Sequence, residues 1–321
     1  MVVVVIVFLI AVIVITQPKE PVVITDEDRL SAIPASAVKM APEDDEFVPV
    51  VHSDEWQQPI PMPGGVNSAG AEDSPYMTED GDWFFFFFTP DVTVPANEQL
   101  TDGVTGIWWT RYTGTEWTAP EKIVLHDDLS LDGAQCCVGT TLWFASVRAD
   151  NYGEIDVFTA QFEGGIWTDV ENVGTQLNVD YDIGEFHLMP NGTMMYFHSG
   201  SWDAGGSMDI WSTVMVGDQW STPVKVEGVN TDSANEGFPY VSPDGSELWF
   251  TAESTLGEGY TGPAIFRSVL QANGTWGTPE EIVSNFAGEC TFDDKGNLYF
   301  VHHYFVDGEM IEADIYVALK N

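Results

Sequence analysis

Asn235-Glu236-Gly237-Phe238-Pro239-Tyr240-Val241-Ser242-Pro243-Asp244-Gly245-Ser246-Glu247-Leu248-Trp249-Phe250-Thr251-Ala252-Glu253-Ser254 is the stretch whose reading decides the fold; Ile265-Phe266-Arg267-Ser268 follows it, and Trp276-Gly277-Thr278-Pro279 closes the unit. It reads as a short apolar strand, a Pro-Asp-Gly turn, a second apolar strand, a longer loop, a third strand and a fourth at an edge. The rest of the chain from Glu55 onward repeats this unit.

Trp-x-x-Pro marks the repeat at Trp56/Pro59, Trp117/Pro120, Trp220/Pro223 and Trp276/Pro279; Trp167 holds the same place but is followed by Val170. Successive Trp spacings of 61, 50, 53 and 56 residues leave room for four short strands and their turns. Second strands are expected at Trp83–Phe88, Leu142–Phe144, Met194–Phe197, Leu248–Phe250 and Leu298–Phe300. Third strands carry Ile107-Trp108, Val157-Phe158, Ile210-Trp211, Ile265-Phe266 and Ile315-Tyr316. The run Phe84 to Phe88 does not alternate, so it predicts a strand buried on both faces. The last unit ends without its own Trp-x-x-Pro, and Glu55 to Pro59 supplies the missing outer strand. The expected fold is therefore all-β: a five-bladed β-propeller, four antiparallel strands per blade, closed by an N-terminal strand.

Ser242-Pro243-Asp244-Gly245-Ser246-Glu247-Leu248-Trp249-Phe250, with third strands such as Asp209-Ile210-Trp211-Ser212, resembles the TolB-like β-propeller repeat. Phe144 to Phe158, a strand, an Arg-bearing loop and a strand, resembles it too. The resemblance covers about residues 52 to 321. It implies a propeller and leaves function open, since such propellers include periplasmic scaffolds and peptidase partners. Ala134-Gln135-Cys136-Cys137-Val138-Gly139-Thr140-Thr141 lacks the Pro-Asp-Gly turn, and the Pro-Asp-Gly motif differs from the sialidase Asp box, which needs a residue between Asp and Gly.

Charge restricts the partners. The chain has 10 Lys and Arg against 51 Asp and Glu, a net charge of −41, which repels nucleic acid and anionic membranes. Val2 to Ile15 is almost unbroken Val, Ile, Leu and Phe, so residues 1–16 read as a signal peptide or signal anchor and the protein as exported. Residues 17–50, rich in Pro, Ala, Ser and acid, read as a disordered tether, and residues 51–321 as a single propeller domain, expected to be a monomer. Removing residues 1–46 should then leave stability nearly unchanged. Cys136, Cys137 and Cys290 make no disulfide framework and are expected as buried packing.

Aligning the units places Glu72, Gln135, Glu185, Glu236 and Glu289 just ahead of each first strand, as a ring near one mouth of the channel. Converging oxygens suit Ca²⁺ or a sugar; alternatively each side chain accepts hydrogen bonds from neighbouring backbone, and repetition favours that scaffold role. His187, His198, His302 and His303 lack a compact metal-ligand spacing. The loop residues Arg148, Asp150, Asn151, Tyr152, Trp202 and Asp203 are candidate ligand contacts, although turn chemistry also selects such residues. The expected function is an exported, non-catalytic scaffold binding a protein or carbohydrate. The alternative is a glycoside hydrolase of the five-bladed arabinanase type, with Glu185 and Glu236 as the catalytic pair.

Overall fold

The structure is a computed structural model and describes residues 22–125, 129–149, 151–179, 181–200, 208–232 and 234–321. The apolar segment Val2 to Ile15 lies outside the described residues. Among those described, no helix is long and apolar enough to cross a membrane.

The chain is all-β, built from antiparallel meanders. The unit containing Gly237–Val241, Glu247–Glu253, Pro263–Val269 and Glu280–Ser284 runs strand beside strand in chain order. Ser130–Val138 to Ile166–Asn172 forms a second such sheet, and Ile183–Leu188 to Gln219–Trp220 a third, with Val224–Lys225 beside its third strand. Two further meanders, Ala71–Met77 to Glu121–Lys122 and Ala287–Phe292 to Glu309–Ala318, meet in one sheet through a single parallel bridge, Ala313 to Ala71. First strands pack on first strands: Ala71–Met77 lies against Ser130–Val138, and Ala287–Phe292 against both Gly237–Val241 and Ala71–Met77. This is the organisation of a β-propeller.

The repeated residues have repeated duties. Asp244 Oδ1 accepts bonds from the Ser242 and Ser246 hydroxyls at 2.7 Å and from Ser246 N at 3.0 Å, while Gly245 takes φ +72°, which the turn needs and a side chain would resist. Each signature Trp pairs with the end of a neighbouring strand: Trp117 with Tyr112, Trp220 with Met215, Trp276 with Leu270 and Trp56 with Lys320. The next carbonyl accepts a third-strand hydroxyl, as in Thr110 Oγ1 to Thr118 O (2.6 Å), Thr213 Oγ1 to Ser221 O (2.7 Å) and Ser268 Oγ to Gly277 O (2.7 Å). These bonds hold the segment where proline interrupts the ladder. Phe84, Phe85, Phe86 and Phe88 are fully buried, and only Phe87 of that run keeps partial exposure. The three thiols are free and buried.

The N-terminal segment departs from the tether expected for it. Asp26–Ala32 is a helix closed by a capping box between Thr25 and Asp28. Its Arg29 is 1% exposed, pairs with Glu72 and donates to Val66 O and Gly65 O. Lys39 reaches Glu312 and Asp314, Asp45 Oδ2 lies 2.9 Å from His302 Nε2, and Phe47 packs edge-on to Phe286. Its apolar residues follow no period to read; long-range polar anchors, each on a single residue, hold the segment, with Ile24, Ile33 and Met40 packed against the core. Val50–Val51 then pairs with Ser284 and Val283 at one meander's outer edge. Trp56, Gln57 and Ile60–Pro61 pair along Glu309–Ala318 and Leu319–Lys320, where the missing outer strand is expected.

Candidate functional site

Every first strand is broken by a register shift near its middle: between Asp73 and Tyr76, Gly133 and Cys136, Ile183 and Phe186, Gly237 and Tyr240, and Gly288 and Thr291. Ser74, Ala134, Phe238 and Glu289 adopt φ of 47° to 54° at this bulge, and such bulges re-aim side chains. Gly184 holds the place in the remaining strand, where a Cβ would sit 2.1 Å from His198 Nε2.

The bulge splits the expected carboxylate ring. Glu72 and Glu236 precede it and belong to their own entry loops. Glu72 accepts from Ser68 N (2.8 Å) and Ser68 Oγ (2.5 Å); Glu236 accepts from Thr231 N (3.1 Å) and Thr231 Oγ1 (2.8 Å). Gln135, Glu185 and Glu289 occupy the bulge itself and converge on Ser74. Glu185 Oε1 accepts the Ser74 hydroxyl at 2.9 Å, Glu289 Oε2 accepts Ser74 N at 3.0 Å, and the Gln135 amide donates to Ser74 O. Gln135 Oε1 is buried without a partner. Hydrophobic spacing in sequence cannot register a bulge, so residues from different registers were aligned as one ring.

Burial pushes the Glu185 carboxyl up to about 7. Burial, and then the charges of Asp73 and Glu185, raise Glu289 well above the carboxylate range. Asp73 would also be raised by burial, but His303, whose Nε2 lies 3.6 Å away, outweighs it and holds the carboxyl down. Ser74, Gln135, Glu185 and Glu289 line a cavity of about 30 Å³, room for a water and not for a sugar ring.

His187 and His198 are neutral for the same reason that Glu185 keeps its proton: burial pulls them to about 3 and about 4. His187 Nδ1 accepts Val241 N at 3.3 Å, and His198 Nδ1 accepts Phe238 N at 3.1 Å. Among the described residues, no group of three or more His, Cys, Asp or Glu side chains is placed to hold a metal ion.

Two of the three loop candidates among the described residues are held in structural contacts. Arg148 pairs with Asp132 at 2.5 Å and lies over the Phe158 ring at 4.3 Å, out of solvent. Asn151 Nδ2 donates to Ser146 O at 2.8 Å within its own loop, while Tyr152 is exposed. Asp150, Trp202 and Asp203 lie outside the described residues.

A larger space opens where the first strands end. It is a pocket of about 940 Å³ lined by the turns after those strands: Thr78–Asp80, Val138–Thr140, Leu188–Pro190, Val241–Pro243 and Phe292–Asp294. Tyr76 and His187 line both this pocket and the small carboxylate cavity, and so stand between them. Rings follow one another along the wall: Tyr76 to His187 at 5.7 Å, His187 to Tyr240 at 4.4 Å, Tyr240 to Phe292 at 5.1 Å, Phe292 to Trp249 at 4.8 Å and Trp249 to Trp56 at 5.7 Å. Burial, with Glu79 among the nearby charges, pushes the Tyr240 phenol up. This pocket was missed from sequence. Its signal was an aromatic or His residue soon after four of the five bulges (Tyr76, Phe186-His187, Tyr240, Phe292), visible only once the register is known.

No protein-family model matches the chain, and no curated protein does. Solved structures similar to it include TolB from Acinetobacter baumannii at 13% identity, over 79% of this chain and 55% of that one, with a TM-score of 0.42. An exo-1,5-alpha-L-arabinanase from a bovine ruminal metagenomic library aligns at 12% identity over 81% and 95%, with a TM-score of 0.47. A protein of unknown function from Dyadobacter fermentans aligns at 14% identity over 86% and 99%, with a TM-score of 0.44. The chain thus spans little more than half of the Acinetobacter TolB. All three superpositions stay below a TM-score of 0.5, and the fold rests on the strand pairing itself.

Proposed function

We propose that this chain is an exported, TolB-like propeller of five blades, closed by its N-terminal strand and acting as a binding module. Residues 1–16 direct export, and residues 51–321 form the ring, with residues 22–50 fastened to it. The ligand sits in the pocket at the turn-side mouth. One observation carries this reading: the space large enough for a ligand is walled by aromatic rings, within the usual 300–1,000 Å³ range of ligand sites. The first-strand carboxylates lie elsewhere, either bound to their own loops or packed around a water-sized cavity. Glu185 and Glu236, the pair a glycosidase would need, have separate partners, Ser74 and Thr231.

The test pairs a binding screen of glycans, peptides and small metabolites with hydrolysis assays on arabinan, xylan and sialylated substrates. Saturable binding weakened by Phe292→Ala, without turnover, is the expected result. Turnover that falls roughly 10²-fold or more in Glu185→Gln or Glu236→Gln, the scale of lost acid–base help, would overturn it in favour of the hydrolase.

A further inference from the structure

Lys320 shows what the turn-side pocket accepts. Its ammonium lies 3.8 Å from the centre of the Trp56 ring and 2.8 Å from Glu55 Oε2, at the pocket wall. It is the only Lys or Arg among the described residues lining the pocket, against Glu55, Glu79, Asp80, Glu247, Asp293 and Asp294.

Those carboxylates are not equivalent. Asp80 and Asp293 are occupied in turns: Asp80 accepts the Thr78 hydroxyl at 2.6 Å, and Asp293 accepts Asn297 N at 2.8 Å. Glu247 accepts the Trp249 indole N–H at 3.0 Å. Glu79 and Asp294 stand exposed on the rim and hold no hydrogen bond or ion pair among the described residues. The wall behind them is the run of rings from Tyr76 to Trp56, whose one imidazole, His187, is neutral. Ring faces attract cations through their quadrupole, and unpaired carboxylates above them add a favourable field. The two cations an anion could meet at this wall are already paired: Lys320 with Glu55, and Arg267, 5.4 Å from the Trp249 ring and 5.8 Å from the Trp56 ring, with Glu55 and Glu280.

We propose that the pocket binds an organic ammonium ion, a ligand bearing a primary or quaternary nitrogen cation, and that Lys320 is its built-in competitor for the Trp56 face. This rests on the pocket being the binding site. The ligand's cationic head lies against the rings of Tyr240 and Phe292 beneath Glu79 and Asp294. A second cationic group on the same molecule gains the Trp56 face only by displacing the Lys320 ammonium.

The experiment uses the full chain and calorimetric titration with choline, its uncharged isostere 3,3-dimethyl-1-butanol, and spermidine, in 20 mM and 150 mM salt. Saturable binding of choline or spermidine is expected, at least tenfold tighter than the isostere and weaker at the higher salt. Glu79→Gln combined with Asp294→Asn should weaken it several-fold. Lys320→Met should tighten spermidine several-fold, and Lys320→Arg, which keeps the cation, should not. Equal affinity for choline and its isostere would overturn the ammonium assignment; this comparison needs only the wild-type chain and so survives a variant that fails to fold. A neutral or anionic ligand that binds and is lost in Phe292→Ala, with no ammonium binding, would overturn the assignment while leaving the pocket as the binding site. Binding of no probe or ligand of any class would sink both. Unchanged spermidine affinity in a folded Lys320→Met would remove the competitor role.

Discussion

Arg29 Nη1 and Glu72 Oε1 stand 2.9 Å apart with side chains 1% and 0% exposed, joining a helix near the start of the chain to the first strand of a meander. Burial pushes the Glu72 carboxyl up to about 7 even with the guanidinium beside it. Arg29→Met removes the charge that opposes this shift, so the folded carboxyl keeps its proton to still higher pH, above its unfolded value of 4.5. A raised folded pKa means that stability is lost as pH climbs. The variant should lose about 3–5 kcal/mol at pH 8, the range for breaking a buried pair, and clearly less at pH 5.5. Urea unfolding at both pH values checks this, and an equal loss at both would contradict it.

Truncation tests the fastening of residues 22–50. The chain starting at residue 49 lacks Arg29, Lys39 and Asp45, and the chain starting at residue 63 also lacks the pairing of Trp56 and Ile60–Pro61 with the last strand. Melting temperature should fall in two steps, first at residue 49 and further at residue 63. A chain from residue 49 that melts with the chain from residue 22 would restore the free tether.

Gly184→Ala should be among the costlier small substitutions, since its Cβ would lie 2.1 Å from His198 Nε2 and 2.9 Å from His198 Cε1. His198 is buried, so the ring has little room to retreat, and overpacking of this kind costs roughly 1–3 kcal/mol. Gly65→Ala, with nothing within 4 Å, is the control. Chemical denaturation of both should separate them by at least about 1 kcal/mol.

Two opposed ramps should shape stability against pH. Glu185, held near 7 when folded and at 4.5 otherwise, favours the fold at low pH and loses that contribution as pH rises from about 4.5 to 7. His187 and His198, pulled to about 3 and about 4 from 6.5, act the other way: the unfolded chain takes up their protons first, so stability falls as pH drops below 6.5. Glu185→Gln removes the Glu185 share of the first ramp, to which the raised Glu72 and Glu289 carboxyls also contribute. Relative to wild type, the variant should gain stability between pH 5 and pH 7.5, read as the difference in melting temperature. A parallel pair of curves would mean that Glu185 titrates normally in the fold.

The blade pattern was legible because it is written redundantly. Trp-x-x-Pro, Gly-containing turns between the first and second strands and paired hydrophobic-aromatic residues recur, and each recurrence constrains the next. Even the pairing of Trp56 with the last strand followed, from a missing element at one end and a spare one at the other. The tether reading failed because Arg29, Lys39 and Asp45 act singly, over long separations, with no period to betray them. The carboxylate ring failed by a register: the bulge puts Gln135 and Glu185 one place beyond Glu289 and several beyond Glu72 and Glu236. The pocket was illegible because turns distant in sequence share it, and only their meeting in space makes a site.

The double edge-pairing of the N-terminal segment also sets an order of assembly. Lys39 meets Glu312 across 273 residues, Asp45 meets His302 across 257 and Asn285 meets Val48 across 237. Contacts of such separation make folding slow. During synthesis, residues 22–61 emerge well before the residues they pair with and must wait for them. Until they dock, the ladders of Glu280–Ser284 and Glu309–Ala318 present open edges to any other extended chain. The refolding yield of this protein should therefore depend on concentration, with losses to aggregation concentrated in the interval before residues 22–61 reach their distant partners.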